Sequence, residues 1–149
     1  MKVEFDGKME IKAPLSVIMK YLTDVDFIGA SVPDSQNFVK IDDDNFTMDI
    51  KVGVGFVSGV FEVKGSITEK TNDHMTYNFE GGGIGSTVRI VLSLDLSEKG
   101  KATNIDWKSE TELNGLVSGV NEAVLRSVSE KKIKEIVSKV KSNLEKKKK

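Results

Sequence analysis

His74 is the single histidine of the chain and cysteine is absent. The two residue types that most often build metal and nucleophilic centres are therefore almost missing. Zinc-type sites gather several His or Cys side chains. His74 follows Asn72-Asp73 in a turn-forming run with no such partner, so it reads as a solvated loop residue and no metal is expected. A serine nucleophile needs a histidine base within reach, and no serine stands in that relation to His74. Asp49, Glu62, Asp95, Asp106, Glu110 and Glu112 fall on the outward phase of alternating segments. General acid–base work needs a titratable group inside a pocket. The inward phase offers Tyr77, Ser109 and a few other hydroxyls, which either anchor a ligand carbonyl or are satisfied within a core. No catalytic residue follows from this pattern, and a non-catalytic binding or accessory role is expected.

Two glycine clusters invite a phosphate-binding interpretation. Gly53-Val54-Gly55-Phe56-Val57-Ser58-Gly59 comes near a dinucleotide fingerprint. That device requires a strand followed at once by a helix N-terminus. Here alternation resumes after Gly55, which makes a hairpin turn. Gly81-Gly82-Gly83-Ile84-Gly85 lacks the Lys-Ser/Thr of a phosphate loop. It reads either as a flexible hairpin end or as a lip over a cavity, with Gly82, Gly83 and Ile84 at the mouth alongside Lys132.

The elements that would position these residues follow from hydrophobic period and turn formers. Val3, Phe5, Met9 and Ile11 alternate around Gly7 as a first strand, and Ala13-Pro14-Leu15 stops it. Pro14 suits the first position of a helix, whose apolar face is Val17, Ile18, Tyr21 and Leu22. A second short helix or turn spans Asp26 to Ala30. Strand-like runs cover 36–41, 46–54, 57–68, 75–81, 87–96 and 102–113, separated by short turn-forming segments. The order predicts an α+β fold: a curved antiparallel sheet of about seven strands with the helices on one face. Period-two alternation places Met48, Ile50, Phe61, Val63, Met75, Tyr77, Phe79, Ile90, Leu92, Trp107 and Ser109 on inward faces as candidate cavity lining. Trp107 either fills core or lines the cavity.

The last third predicts one long helix, from Leu116 to Leu144. Val120, Val124, Val128, Ile136, Val140 and Leu144 recur every four residues, broken by Lys132. Such a row drifts about 40° per step on a 3.6-residue helix, which suits a helix lying diagonally over a curved sheet. Val120, Val124 and Val128 are thus candidates to line the enclosed space, and spaces of this kind hold apolar ligands. Residues 1–125 carry 12 Lys/Arg against 20 Asp/Glu, a net −8, and residues 126–149 carry 10 against 3, a net +7. Lys146, Lys147, Lys148 and Lys149 end the chain as a frayed basic tail, or as a contact for anionic lipid or an acidic partner. An acidic body without aromatic and basic interleaving argues against nucleic acid. With 149 residues, one domain over 1–145 plus the tail 146–149 is the simplest organisation. Alternation begins at Met1-Lys2-Val3 and no apolar run reaches membrane-spanning length, so the expected location is cytoplasmic, at most peripheral on the inner face of a membrane.

Several short motifs occur in a telling order: Phe5-Asp6-Gly7, Ala13-Pro14-Leu15, Val32-Pro33, Lys51-Val52-Gly53-Val54-Gly55-Phe56-Val57, Gly81-Gly82-Gly83-Ile84-Gly85 and Asn114-Gly115-Leu116-Val117. Together they resemble the carbon monoxide dehydrogenase CoxG family of the START-like, SRPBCC helix-grip superfamily. The resemblance implies a curved sheet gripping a long C-terminal helix around an apolar cavity. It further implies a bound quinone- or lipid-like molecule, and a role in maturation, membrane recruitment or electron transfer of a molybdenum hydroxylase of the CO-dehydrogenase type. Three positions depart from the family pattern: Pro33-Asp34 replaces Pro-Gly, Gly55-Phe56 replaces a Gly-Pro turn, and Lys132 replaces a bulky apolar residue. Lys132 narrows or polarises the cavity, or carries its charge to the surface with its stem buried. Two alternatives stand beside the ligand carrier. One is an assembly protein with a filled core; the other is an aromatase/cyclase-like enzyme, which would need a titratable group in the cavity.

Overall fold

The computed structural model describes residues 2–54 and 57–146, with the side chains of Val54 and Val57 left aside. The expected Gly55-Phe56 turn and Lys147, Lys148 and Lys149 lie outside the described residues. In chain order the elements are β1 (Lys2–Ile11), α1 (Leu15–Leu22), α2 (Val25–Ala30), β2 (Ser35–Lys40), β3 (Asn45–Val54), β4 (Val57–Lys70), β5 (His74–Gly83), β6 (Ser86–Lys99), β7 (Ala102–Gly115), a 3-10 turn (Leu116–Gly119) and α3 (Glu122–Lys146). All seven strands form one antiparallel sheet in the order β1-β7-β6-β5-β4-β3-β2. Sequential hairpins give β2 through β7, and β1 closes the far edge against β7. The expected α+β architecture, a curved sheet around a long C-terminal helix, is the one observed.

The helices start where local chemistry allows. Pro14 is the N-cap of α1, not its first helical residue: its ψ of 151° is extended, and its carbonyl accepts from Val17 and Ile18 N–H at 3.1 Å each. Asp24 caps α2 with its carboxylate, accepting from Asp26 N–H at 3.0 Å, a contact of the kind that contributes about 1 kcal/mol.

The last helix differs from expectation at its start. Leu116–Gly119 forms a separate 3-10 turn, Val120 is extended, and α3 opens only at Glu122. Asn121 supplies the reason, since its side-chain oxygen accepts from Ala123 N–H at 2.9 Å and its carbonyl accepts from Leu125 N–H at 3.0 Å. An Asn in this role favours a helix beginning over a helix interior. The buried stripe of α3 accordingly runs Leu125, Ile133, Val140 and Leu144, with Val128, Ile136 and Val137 half-buried beside it. It follows the true helical period, and Val124 is left exposed.

Gly81-Gly82-Gly83 is also reassigned. These glycines are ladder residues of β5, opposite Val88, Thr87 and Ser86 of β6. A Cβ at Gly81 would stand 2.2 Å from the Glu62 carbonyl oxygen, and one at Gly83 would stand 2.4 Å from that of Val60. The missing side chains of Gly81 and Gly83 leave room for the backbone of β4, the strand paired with β5 here. The turn itself is Ile84-Gly85, with φ of 55° and 65°, the left-handed pair that a two-residue hairpin requires. Two apolar clusters organise the interior. One gathers Ile11, Leu22, Phe27, Phe46, Tyr77, Leu96 and Trp107 beneath α1, α2 and the C-terminal half of α3. The other joins Leu113, Val117, Val120 and Leu125 at the opposite end.

Candidate functional site

Between these two clusters lies a cavity of about 380 Å³. α3 packs its backbone chiefly against β1 and β3, and the space is left under the helix, over the central strands. Its walls are Met48, Ile50 and Val52 of β3, Phe61 and Val63 of β4, Phe79 of β5, Val88, Ile90 and Leu92 of β6, and Thr111 and Leu113 of β7. Its roof is Leu125, Val128, Ser129, Ile133 and Ile136 of α3. Each strand contributes alternate residues, as the pleat dictates. The charged lining residues are Asp34, Lys51, Lys131, Lys132 and Glu135. All of these are exposed or half-exposed, so they mark where the cavity meets solvent.

Lys132 follows the snorkelling alternative. Its Nζ donates to Asp34 Oδ2 at 2.9 Å and lies 3.9 Å from Glu135 Oε2. The bond ties α3 to the loop after α2, across the mouth. The hydrogen bond and then the charge of Lys132 hold the Asp34 carboxyl below the usual carboxylate range. Asp34 adopts a left-handed φ of 63°, which explains a Pro-Gly preference here and is tolerated by Asp. Two of the three departures from the family pattern are therefore partners of each other.

Of the residues expected at the site, Met48, Ile50, Phe61, Val63, Phe79, Ile90, Leu92, Val128 and Lys132 line the cavity together. The others lie outside it, for separate reasons. Met75 and Tyr77 sit at the other end of β5 and are buried in the first cluster. The Tyr77 hydroxyl donates to the Leu22 carbonyl, so it is a satisfied core group. Trp107 packs over Gly7, where a Cβ would stand 2.5 Å from the indole. Ser109 is fully buried with no hydrogen-bond partner for its Oγ among the described residues. Val120 precedes α3 and packs in the second cluster, and Val124 faces solvent. Gly82 and Gly83 are strand residues, and Ile84 packs against the second cluster and over Gly59, so none of the three lies at the mouth. Lys146 is exposed at the end of α3.

Residues missed at the sequence level include Val52, Val88, Thr111 and Leu113, which share inward faces already identified, and Leu125, Ile133 and Asp34. Leu125 and Ile133 would have emerged from a 3.6-residue stripe in place of a strict row of four. His74, placed in a solvated loop by its sequence, instead opens β5 half-buried, its Nδ1 2.6 Å from Asp95 Oδ1 and its Nε2 2.9 Å from Thr76 Oγ1. Among the described residues no group of three or more His, Cys, Asp or Glu could hold a metal ion, and no helix is long and apolar enough to cross a membrane.

Among the described residues Tyr77 is the titratable group set deepest, and burial pushes its phenol well above the ordinary range. The neutral form is the one the fold holds, so its stability contribution is intact below 10.0 and is lost progressively as pH rises beyond it. Tyr77→Phe is expected to cost about 1–3 kcal/mol at neutral pH by removing the donor to Leu22. It should also flatten the alkaline loss, which for one such group approaches about 1.4 kcal/mol per pH unit. Urea unfolding of both proteins from pH 7 to 11 measures both effects.

The family model for the CoxG component of carbon monoxide dehydrogenase matches residues 7–145. No curated protein matches the chain in sequence. Among solved structures, a conserved protein from Geobacillus kaustophilus is similar at TM-score 0.84 and 19% identity, covering 97% of this chain and 96% of its own. A START superfamily protein from Mycobacterium smegmatis is similar at TM-score 0.69 and 12% identity, covering 96% and 97%. The Zhui aromatase/cyclase from Streptomyces sp. R1128 is similar at TM-score 0.68 and 11% identity, covering 97% and 94%. At these identities the likeness is one of fold, the START-like helix grip.

Proposed function

The chain belongs to the carbon monoxide dehydrogenase CoxG family, and from that premise we propose that it carries a hydrophobic small molecule, lipid- or quinone-like, in the cavity under α3. The observation that carries the proposal is the distribution of polarity. Walls and roof are apolar apart from the hydroxyls of Thr111 and Ser129, and every charged lining residue is at the mouth. A ligand entering such a space recovers about 25 cal/mol per Å² of apolar area removed from water. Catalysis is not part of this proposal. Among the described residues the cavity lining contains no buried Asp, Glu, His or Lys, and Tyr77, committed to Leu22, lies outside it.

As an accessory protein, it would serve a molybdenum enzyme of the CO-dehydrogenase type, in maturation, membrane recruitment or electron transfer. The basic half of α3, with Lys146 exposed at its end, supports contact with an anionic membrane or an acidic partner surface.

Native mass spectrometry of the purified protein, followed by solvent extraction, tests the carrier reading. A defined adduct that extracts as lipid or quinone is the expected result. A bare mass that stays bare after exposure to quinones and lipids would leave the assembly role in its place.

A further inference from the structure

The geometry points to a more specific occupant: a single-chain amphiphile with an anionic head, of the long-chain carboxylate class, whose head replaces Asp34 as the partner of Lys132. This rests on the carrier reading above and sharpens it. The mouth carries three cations, Lys51, Lys131 and Lys132, against two carboxylates, Asp34 and Glu135. One positive charge is therefore left over where a head group would sit. Lys132 is the cation best placed to use it, because it projects from the cavity roof and its Nζ already holds a carboxylate oxygen at 2.9 Å.

That internal pair is exchangeable. The Asp34 side chain is 59% exposed and that of Lys132 30%, and ion pairs in such settings are worth about 0–1 kcal/mol. An incoming carboxylate meets the same ammonium with the same geometry, and its tail is held at the same time by the apolar walls. A ligand without charge gains nothing from opening the pair. The size of the space favours one chain. Taking the share of a liquid water, about 30 Å³, as the scale, the cavity of about 380 Å³ admits on the order of a dozen methylene-sized groups.

Titration calorimetry of the full chain with sodium tetradecanoate and with tetradecanol separates head from tail. The carboxylate is expected to bind about two- to fivefold tighter, the scale of a half-exposed ion pair. Lys132→Met should abolish that preference, and thermal melting shows that the variant is folded. Asp34→Asn, which keeps a residue type at home in the left-handed region, should tighten the carboxylate about two- to fivefold by removing its competitor. Equal binding of acid and alcohol, unmoved by either variant, overturns the head-group proposal while the carrier reading stands. Failure of both probes and of extracted lipids and quinones to bind overturns the proposal together with the carrier reading.

Discussion

Gly81→Ala is expected to destabilise the domain by about 3 kcal/mol, the upper end of what overpacking costs. The new methyl would stand 2.2 Å from the Glu62 carbonyl oxygen and 2.9 Å from Val63 Cα. Both are backbone atoms of β4, the strand paired with β5 at this point, so no side-chain rotation relieves the clash. Relief requires β4 and β5 to move apart where Phe61, Val63 and Phe79 line the cavity. The same substitution at Gly53, on the cavity rim with nothing within 4 Å of its Cβ position, should stay within about 0.5 kcal/mol of the parent protein. Urea denaturation of the pair measures the contrast. Equal stabilities would mean that the close approach of the β4 backbone does not require a glycine at position 81.

That close approach shows where the sequence was readable and where it was not. Alternation along β6, from Val88 to Leu96, identified an inward face directly, because the pleat forces successive side chains to opposite sides. It could not say which part of that face would be capped. Leu94 and Leu96 lie in the core under α1 and α2, whereas Val88, Ile90 and Leu92 of the same face line the cavity. The partition depends on where the helices lie over the sheet, which is a tertiary fact. Three consecutive glycines carry no period at all, so Gly81-Gly82-Gly83 resembled a loop until the approach of β4 showed what they accommodate. The Asp34–Lys132 bond spans 98 positions. Each residue was visible as a departure from the family pattern, but nothing local paired them.

The same limit separates two valines that a strict row of four treats alike, and the separation makes a sharp test of the cavity. Val128→Trp is expected to reduce uptake of an apolar ligand by about a hundredfold or more while leaving the domain folded. Val128 is half-buried and points from α3 into the cavity, so an indole there has space to enter. An aromatic side chain covers about 150–250 Å². A ligand denied even about 100 Å² of that wall forfeits about 2.5 kcal/mol, roughly a hundredfold in affinity. Val124→Trp, one turn earlier on α3 but 39% exposed and outside the cavity, should bind as the parent does. Titration with tetradecanol reads both variants, and thermal melting confirms that each is folded. Equal loss in the two would place the ligand elsewhere on α3. No loss in either would mean that the space under the helix is not where the ligand resides, because a filled cavity cannot hold its guest.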